Sequence, residues 1–122
     1  MSHENPRHKD NLILNLTLQF SLDVIEFCEL LETRGKTIIG RQLLRSATSI
    51  GSNTREAQNA ESRNDFIHKL KVALKEVDET EYWLLLCEKA KSYPTNEQLS
   101  LDLKTIRMVL NKIVSSTSKN RK

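Results

Sequence analysis

The sequence has 122 residues and a formal net charge of +3, and 29% of its residues are charged. This length is typical of one domain with a single hydrophobic core. The longest unbroken apolar run, residues 82–87, is far too short to span a bilayer, and the polar first ten residues lack the apolar segment of a signal peptide. We therefore expect a cytoplasmic protein with no membrane contact.

The composition predicts an all-α fold. Leu, Glu and Lys are frequent, whereas the chain holds only three glycines and two prolines, a balance that favours long helices over short strands joined by turns. The two cysteines, Cys28 and Cys87, lie within helical patterns and lack metal-site spacing. We expect them to be small buried side chains in a reducing compartment.

Gly and Pro residues mark the boundaries of the predicted helices. Residues 1–10 are expected to be disordered. The first helix covers Asn11 to Glu32, and Gly35 follows it as a left-handed cap. The second helix runs from Thr37 to Ala60, and its Gly-Ser-Asn segment at 51–53 favours either a bend or close packing through small residues.

The third helix is predicted from Ser62 to Ser92, with the Ser62 hydroxyl capping it and Asp65 three residues later as a variant of the capping box. The Tyr93-Pro94 pair ends this segment.

Thr95 and Gln98 form a second capping box that opens the fourth helix. That helix is predicted to end at about Ser116, so that residues 117–122 form a disordered basic tail.

Apolar residues recur at helical spacing in the last two helices. The core faces predicted from this spacing are Phe66, Leu70, Ala73, Leu74, Val77 and Leu84 in the third helix and Leu99, Leu103, Ile106, Leu110 and Ile113 in the fourth. Short connections between long helices favour antiparallel neighbours. Residues 11–116 are therefore predicted to form an antiparallel up-down-up-down four-helix bundle, and a three-helix hairpin with a loose second segment is the alternative.

The first helix is more apolar than one face of a bundle requires. Thirteen of the twenty residues from Leu12 to Leu31 are apolar, whereas about three in seven suffice. An exposed apolar strip of this size usually marks an interface, which predicts a homo-oligomer, either a closed ring or a dimer. The predicted interface residues are Leu12, Leu16, Phe20, Phe27 and Leu31. The alternative is a first helix buried on most of its sides.

Charge is unevenly distributed along the chain. Residues 34–55 hold five basic residues and no acidic one. On a regular helix Arg41, Arg45 and Arg55 fall within an arc of about 80°, with Thr48 and Ser52 between them. This stripe lies opposite the apolar positions Ile39, Leu43, Ala47 and Ile50.

Arginine forks and hydroxyl donors at this spacing suit phosphate oxygens, so the stripe predicts binding of RNA or DNA. Six further basic residues are candidates to extend it: Lys104, Arg107, Lys112, Lys119, Arg121 and Lys122. The alternative is a solvated face, or arginines paired with acids from a neighbouring helix.

No pattern in the sequence predicts catalysis, a cofactor or a small-molecule substrate. Gly35-Lys36-Thr37 imitates the end of a phosphate-binding loop but follows a helix instead of a strand. Asp65 and His68 approach the di-iron spacing only once, and the three histidines form no zinc constellation. Glu81 is predicted on the apolar face of the third helix, where a bare carboxylate is costly. We expect it to pair with an Arg or Lys of another helix or subunit, and a functional acid is the alternative.

The middle of the chain resembles a known family over residues 10 to 115. The motifs that carry the resemblance are Ile50-Gly51-Ser52-Asn53-Thr54-Arg55-Glu56-Ala57-Gln58, Glu61-Ser62, Asp65-Phe66-Ile67-His68-Lys69, Ala73-Leu74-Lys75-Glu76 and Glu79-Thr80-Glu81-Tyr82-Trp83-Leu84. They resemble the bacterial four-helix-bundle family of intervening sequences in large-subunit ribosomal RNA genes. The resemblance implies a left-handed four-helix bundle, a homopentamer, and a role in binding RNA or other nucleic acid. It implies no catalytic residue.

Two functions are therefore expected. The first is a homo-oligomeric module that binds nucleic acid through the arginine stripe. The second is an oligomeric scaffold that docks a partner protein on the apolar surplus of the first helix or on exposed Leu101 and Met108.

Overall fold

The computed structural model describes residues 8–119, with side chains from residue 12 onward, and this part of the chain contains helices and no strand. The helices are α1 (His8–Thr33), α2 (Thr37–Ala57), α3 (Arg63–Lys89) and α4 (Glu97–Lys119). The all-α class with four helices is confirmed. The predicted disorder of residues 1–10 is wrong for 8–10, which belong to α1, and residues 1–7 lie outside the described part.

The connection between α1 and α2 is a tight turn at Gly35. Gly35 has a φ of 72°, in the left-handed region that glycine adopts without a steric penalty. Its N–H donates to the Glu32 carbonyl at 3.0 Å, and the Lys36 N–H donates to the Leu31 carbonyl at 2.8 Å. These are the two bonds of a Schellman motif, and the predicted left-handed cap is confirmed.

Helix α2 is helical throughout the Gly-Ser-Asn segment at 51–53. A Cβ placed on Gly51 would lie 3.5 Å from the Thr17 side chain, so the small residues serve close packing of α2 on α1. The helix ends at Ala57, earlier than the predicted Ala60. The N–H groups of residues 58–60 each donate to the carbonyl three positions back, which tightens the turn and ends the α-helical ladder.

The start of α3 follows the sequence prediction. The Ser62 hydroxyl accepts a hydrogen bond from the Asp65 N–H at 3.0 Å. The Asp65 carboxylate accepts one from the Glu61 N–H at 3.2 Å, so the reciprocal bond of the capping box reaches one residue further back than usual. The helix ends at Lys89, three residues before the predicted Ser92.

Both ends of α4 differ from the prediction. The Asn96 side chain accepts a hydrogen bond from the Leu99 N–H at 3.2 Å, so Asn96 caps the helix and the prediction of Thr95 as the cap is wrong. Residues 117–119 continue α4 instead of forming a disordered tail. Residues 120–122 lie outside the described part.

Each helix packs against two neighbours. Helix α1 contacts α2 and α4, and α3 contacts the same two helices, whereas within residues 8–119 the diagonal pairs share no close contact. Leu43, Ala47 and Ile50 of α2 are fully buried, so the alternative of a loose second segment is wrong. The predicted core residues are buried except for two that are half-buried against the core, Phe66 and Leu74.

Four hydroxyl side chains are buried in this core. The Thr80 hydroxyl of α3 donates to the Ser46 hydroxyl of α2 at 2.8 Å. The hydroxyl oxygens of Thr17 in α1 and Thr54 in α2 lie 3.4 Å apart, and each also donates to a carbonyl of its own helix at 2.8 Å. Every buried hydroxyl therefore has a partner, as burial of a polar group requires.

The position of Glu81 corrects the predicted face of α3. The buried side of α3 includes Val77, Thr80 and Leu84, so Thr80 takes the core position and Glu81 is exposed. The Glu81 carboxylate accepts a hydrogen bond from Arg107 of α4 at 2.9 Å. The predicted pairing with a basic residue of another helix is confirmed.

Candidate nucleic-acid interface

The cationic stripe predicted on α2 contains both free and engaged groups. Arg41 and Arg55 are exposed, and neither has an ion-pair partner among the described residues. They lie about 21 Å apart along the helix axis. The Thr48 and Ser52 hydroxyls donate to carbonyls of α2 itself, at 2.8 and 3.2 Å. The stripe therefore offers two free guanidinium groups, and its hydroxyl protons are already used.

Arg45, in the middle of the stripe, is held by two carboxylates of α3. One guanidinium nitrogen donates to Glu79, and another lies 3.6 Å from a carboxylate oxygen of Glu76. The bond from Arg45 lowers the pKa of the Glu79 carboxyl below its usual value, and the Trp83 indole N–H adds a second bond at 3.1 Å. The same bond raises the pKa of Arg45. The alternative of an arginine paired with acids of a neighbouring helix is thus what the structure shows at this position.

Arg107 of α4 has a similar arrangement on the opposite side of α3. Its two terminal nitrogens donate to Asp78 at 2.5 Å and to Glu81 at 2.9 Å. Helix α3 therefore carries two carboxylates toward α2 and two toward α4. Since α2 and α4 are not neighbours, this acidic band separates their cationic groups, and the prediction that Lys104, Arg107 and Lys112 extend the α2 stripe is wrong.

The outward side of α4 is cationic without compensation. Lys104, Lys112 and Lys119 are exposed, have no ion-pair partner among the described residues, and belong to a segment that contains no acidic residue. A shallow groove of about 660 Å³ follows this side, and Asn111 and Ser115 also line it. We call these five residues the α4 basic face. The remaining predicted tail residues, Arg121 and Lys122, lie outside the described part of the chain.

A family profile described as 23S rRNA-intervening sequence protein matches residues 9–112. The match covers most of the chain. This chain belongs to the 23S rRNA-intervening sequence protein family.

A solved structure supports the same conclusion. It is the crystal structure of a protein with unknown function from the S23 ribosomal protein family of Bacteroides thetaiotaomicron. That protein is 40% identical in sequence and has a TM-score of 0.81, and the alignment covers 88% of this chain and 98% of that one. No curated protein matches the chain.

The exposed apolar residues of α1 lie on a different face of the helix from the predicted one. Phe20, Phe27 and Leu31 are almost fully buried in the core of the chain itself, so the prediction that they line a surface for another copy is wrong. Leu12 is exposed, and Leu16 is half-buried against the core. The helix has one exposed side, so the alternative of a centrally buried first helix is also wrong.

The outward side of α1 instead exposes Leu18, Leu22 and Ile25. These residues share an arc of about 60° at 100° per residue. The sequence pattern showed that α1 was too apolar for one buried face. It did not show which side α2 and α4 would cover.

The described residues of this intervening sequence protein include no group of three or more His, Cys, Asp or Glu side chains placed to hold a metal ion. Burial raises the pKa of the Cys28 thiol to about 11, and neighbouring Cys87 adds to the shift. The Cys28 thiol therefore stays protonated and donates to the Gly40 carbonyl at 3.3 Å. No helix among residues 8–119 is long and apolar enough to cross a membrane.

Proposed function

We propose that this chain is a non-enzymatic, antiparallel four-helix-bundle protein that self-associates and binds RNA or other nucleic acid through the α4 basic face. The observation that supports binding is the set of three exposed, uncompensated lysines on that face. Elsewhere in the described chain the arginines nearest to α3 are neutralised by its carboxylates. The α4 basic face, in contrast, carries three cations without a carboxylate partner in the described chain.

Contacts between neighbouring helices support the antiparallel arrangement. Thr17, in the first half of α1, meets Thr54 near the end of α2. The late α1 residue Leu31 lies 3.5 Å from the Cβ position of Gly40 near the start of α2. Along the next pair, Glu56 of late α2 contacts Lys69 of early α3. Contacts that run in opposite senses along neighbouring helices, with short connections, are those of an up-down-up-down bundle.

The chemistry of the α4 basic face fits a phosphate backbone better than base edges. Lys104, Lys112 and Lys119 follow one another at about 12 and about 10 Å along the helix, and lysine binds phosphate as a point charge. Asn111 and Ser115 add single donors of the type that contact phosphate and sugar oxygens. Because this face has no aromatic side chain, it lacks the stacking platform of single-strand binders. We infer binding that depends on charge and little on sequence.

RNA is the first nucleic acid to test, because the family to which the chain belongs is named for an intervening sequence of 23S rRNA. Arg41 and Arg55 of α2 remain candidates for additional contacts, since both are exposed and free of partners among the described residues. Arg45 contributes less, because an incoming phosphate must first compete with Glu76 and Glu79.

The experiment is a fluorescence anisotropy titration of a labelled RNA duplex across a salt series. For Lys104→Ala/Lys112→Ala/Lys119→Ala, we expect weaker binding at low salt and a shallower dependence of log K on log salt concentration, since each lost phosphate contact removes about one unit of slope. The matched control is Lys71→Ala/Lys75→Ala/Lys89→Ala, which removes the same charge from α3. If both triple variants lost the same RNA affinity, net charge and not the α4 basic face would explain the effect. If the wild type did not bind RNA at low salt, the proposal would be refuted.

A partner protein is the second candidate. Leu101 and Met108 are each about half exposed beside the lysines of α4, and apolar side chains with a basic rim are typical of a protein interface. Leu101→Ser/Met108→Ser separates the two functions. Loss of a co-purified protein with unchanged RNA affinity would favour the scaffold, and the reverse result would favour nucleic acid.

A further inference from the structure

The outward side of α1 forms an apolar ridge that no part of the described chain covers. Leu18, Leu22 and Ile25 define this α1 ridge, and their exposed fractions are 48%, 49% and 38%. Three aliphatic side chains at spacings of four and three residues are the pattern of a helix that packs into a groove. Among residues 8–119, α1 contacts only α2 and α4, so the ridge has no intramolecular partner in this part of the chain.

A groove of about 470 Å³ runs between α3 and α4. Leu84 and Leu103 form its buried floor, while Tyr82 and Leu85 stand at its edge with 54% and 44% of their surface exposed. We call these four residues the α3–α4 groove. Large apolar side chains that line a concave surface and remain half exposed are a common site for an apolar helix face.

Charge favours one orientation of the ridge in the groove. Between residues 12 and 33 α1 carries four acidic residues and no basic one, and Glu26 is exposed beside the α1 ridge. The α4 wall of the groove carries Lys104, which has no carboxylate partner in the described chain. On the α3 wall, Arg107 engages two of the three carboxylates, whereas Glu88 is exposed and has no ion-pair partner among the described residues. The acidic flank of the ridge therefore fits against the α4 wall at Lys104 and away from Glu88.

We propose that the α1 ridge of one copy of the chain seats in the α3–α4 groove of a second copy. This assignment depends on the self-association in the proposed function and specifies the two surfaces that form it. The ridge and the groove are different surfaces of one chain, so the contact is heterologous, and repetition of such a contact closes into a ring when the rotation between copies permits. Most of the α4 basic face lies further along α4 and stays free.

The test uses the heterologous nature of the contact. Leu22→Asp places a charge on the ridge but leaves the groove intact, and Leu85→Asp does the reverse. We expect each variant to be monomeric by native mass spectrometry and light scattering. An equimolar mixture should give a species of twice the 14.1 kDa chain mass, because one intact ridge and one intact groove remain. Ile38→Asp, at an 80% exposed site on α2, is the matched control and should keep the wild-type mass.

The outcomes separate this proposal from the proposed function. A monomeric wild type at all concentrations would refute self-association itself. An oligomeric wild type with oligomeric Leu22→Asp or Leu85→Asp variants would leave self-association standing and refute the two assigned surfaces. Two monomeric variants that fail to pair would also refute the ridge-in-groove contact. Circular dichroism checks the folding of each variant, and Leu22→Ser and Leu85→Ser replace any aspartate variant that loses its helical signal.

Discussion

Gly35 and Gly40 lie five residues apart but have different backbone conformations, left-handed at Gly35 and right-handed helical at Gly40. Gly35 adopts a φ of 72° with open space where a Cβ would stand, whereas Gly40 is helical and a Cβ there would lie 3.5 Å from Leu31, an ordinary van der Waals distance. We expect Gly35→Ala to lower the free energy of unfolding by about 1–2 kcal/mol, because a left-handed alanine is strained. Gly40→Ala should raise it by up to about 1 kcal/mol, because alanine is the better helix former.

Urea denaturation of the two variants measures both effects on one protein. Each variant serves as the control for the other, since both add the same methyl group. If both substitutions changed the free energy of unfolding in the same direction, the assignment of Gly35 as the left-handed cap would be contradicted.

The Arg45–Glu79 pair gives stability a specific dependence on pH. Since the folded pKa of Glu79 is lowered by its bond to Arg45, protonation favours the unfolded state, and the contribution is present above the unfolded pKa and lost as pH falls through the folded value. Both side chains are more than a third exposed, so the contribution is at most about 1 kcal/mol. Glu79→Gln should therefore destabilise the protein at pH 7, and its effect should be smaller at pH 3, which lies below the unfolded pKa.

Chemical denaturation at the two pH values checks this expectation. Glu88→Gln is the matched control, because Glu88 is an exposed carboxylate of the same helix. A destabilisation by Glu79→Gln that is as large at pH 3 as at pH 7 would show that the effect is not the ion pair.

At the scale of the helices, the buried bond between Thr80 and Ser46 joins α3 to α2 in a single register. Removing one partner of a buried hydrogen bond costs more than replacing both with apolar groups. We expect Thr80→Val to lower the free energy of unfolding by about 1 kcal/mol, and Ser46→Ala/Thr80→Val to lower it by less than the sum of the two single changes. A double-mutant cycle measured by denaturation gives the coupling directly, and strictly additive losses would argue against the bond.

Helix ends were predictable from the sequence where one residue decides them. Gly35 and Ser62 act through bonds to residues within five positions, so local spacing was sufficient. The cap of α4 was placed one residue early, because Thr95 and adjacent Asn96 are both good capping residues. The sequence predicts the end of α2 three residues too late, because the turn at 58–60 contains no Gly or Pro that would mark the end of a helix.

Helix faces and ion pairs required the tertiary structure. The periodicity of α3 placed Leu70, Val77 and Leu84 in the core correctly, but the direction from which α2 packs decided that Thr80 and not Glu81 would be buried with them. The arginines of α2 were visible as a stripe. The partner of Arg45, the carboxylate of Glu79, is thirty-four positions away in the sequence, and no local pattern connects the two.

At the scale of the whole molecule, self-association would repeat the α4 basic face on every copy. A long RNA duplex could then contact several copies at once, and linked contacts of this kind raise apparent affinity by about 10²–10⁴ without any new contact. A duplex of about 12 base pairs already covers the about 22 Å from Lys104 to Lys119, so it should occupy one copy only. The gain from assembly should appear with long duplexes and vanish with short ones.

The variant Leu22→Asp, which we expect to be monomeric, tests this relation, because its substitution lies on α1, away from the α4 basic face. We expect this variant to bind a 12-base-pair duplex at least as well as the wild type, in which Lys104 also lines the contact between copies, as measured by anisotropy at fixed salt. With a duplex of about 40 base pairs, the variant should bind at least about tenfold more weakly than the wild type, since it loses the linked contacts. Equal affinities of the two proteins for the long duplex would mean that the basic faces of different copies cannot engage one nucleic acid together. An equal loss with both duplexes would instead place Leu22 at the binding surface itself, because only a direct contact weakens a site that one copy fills alone.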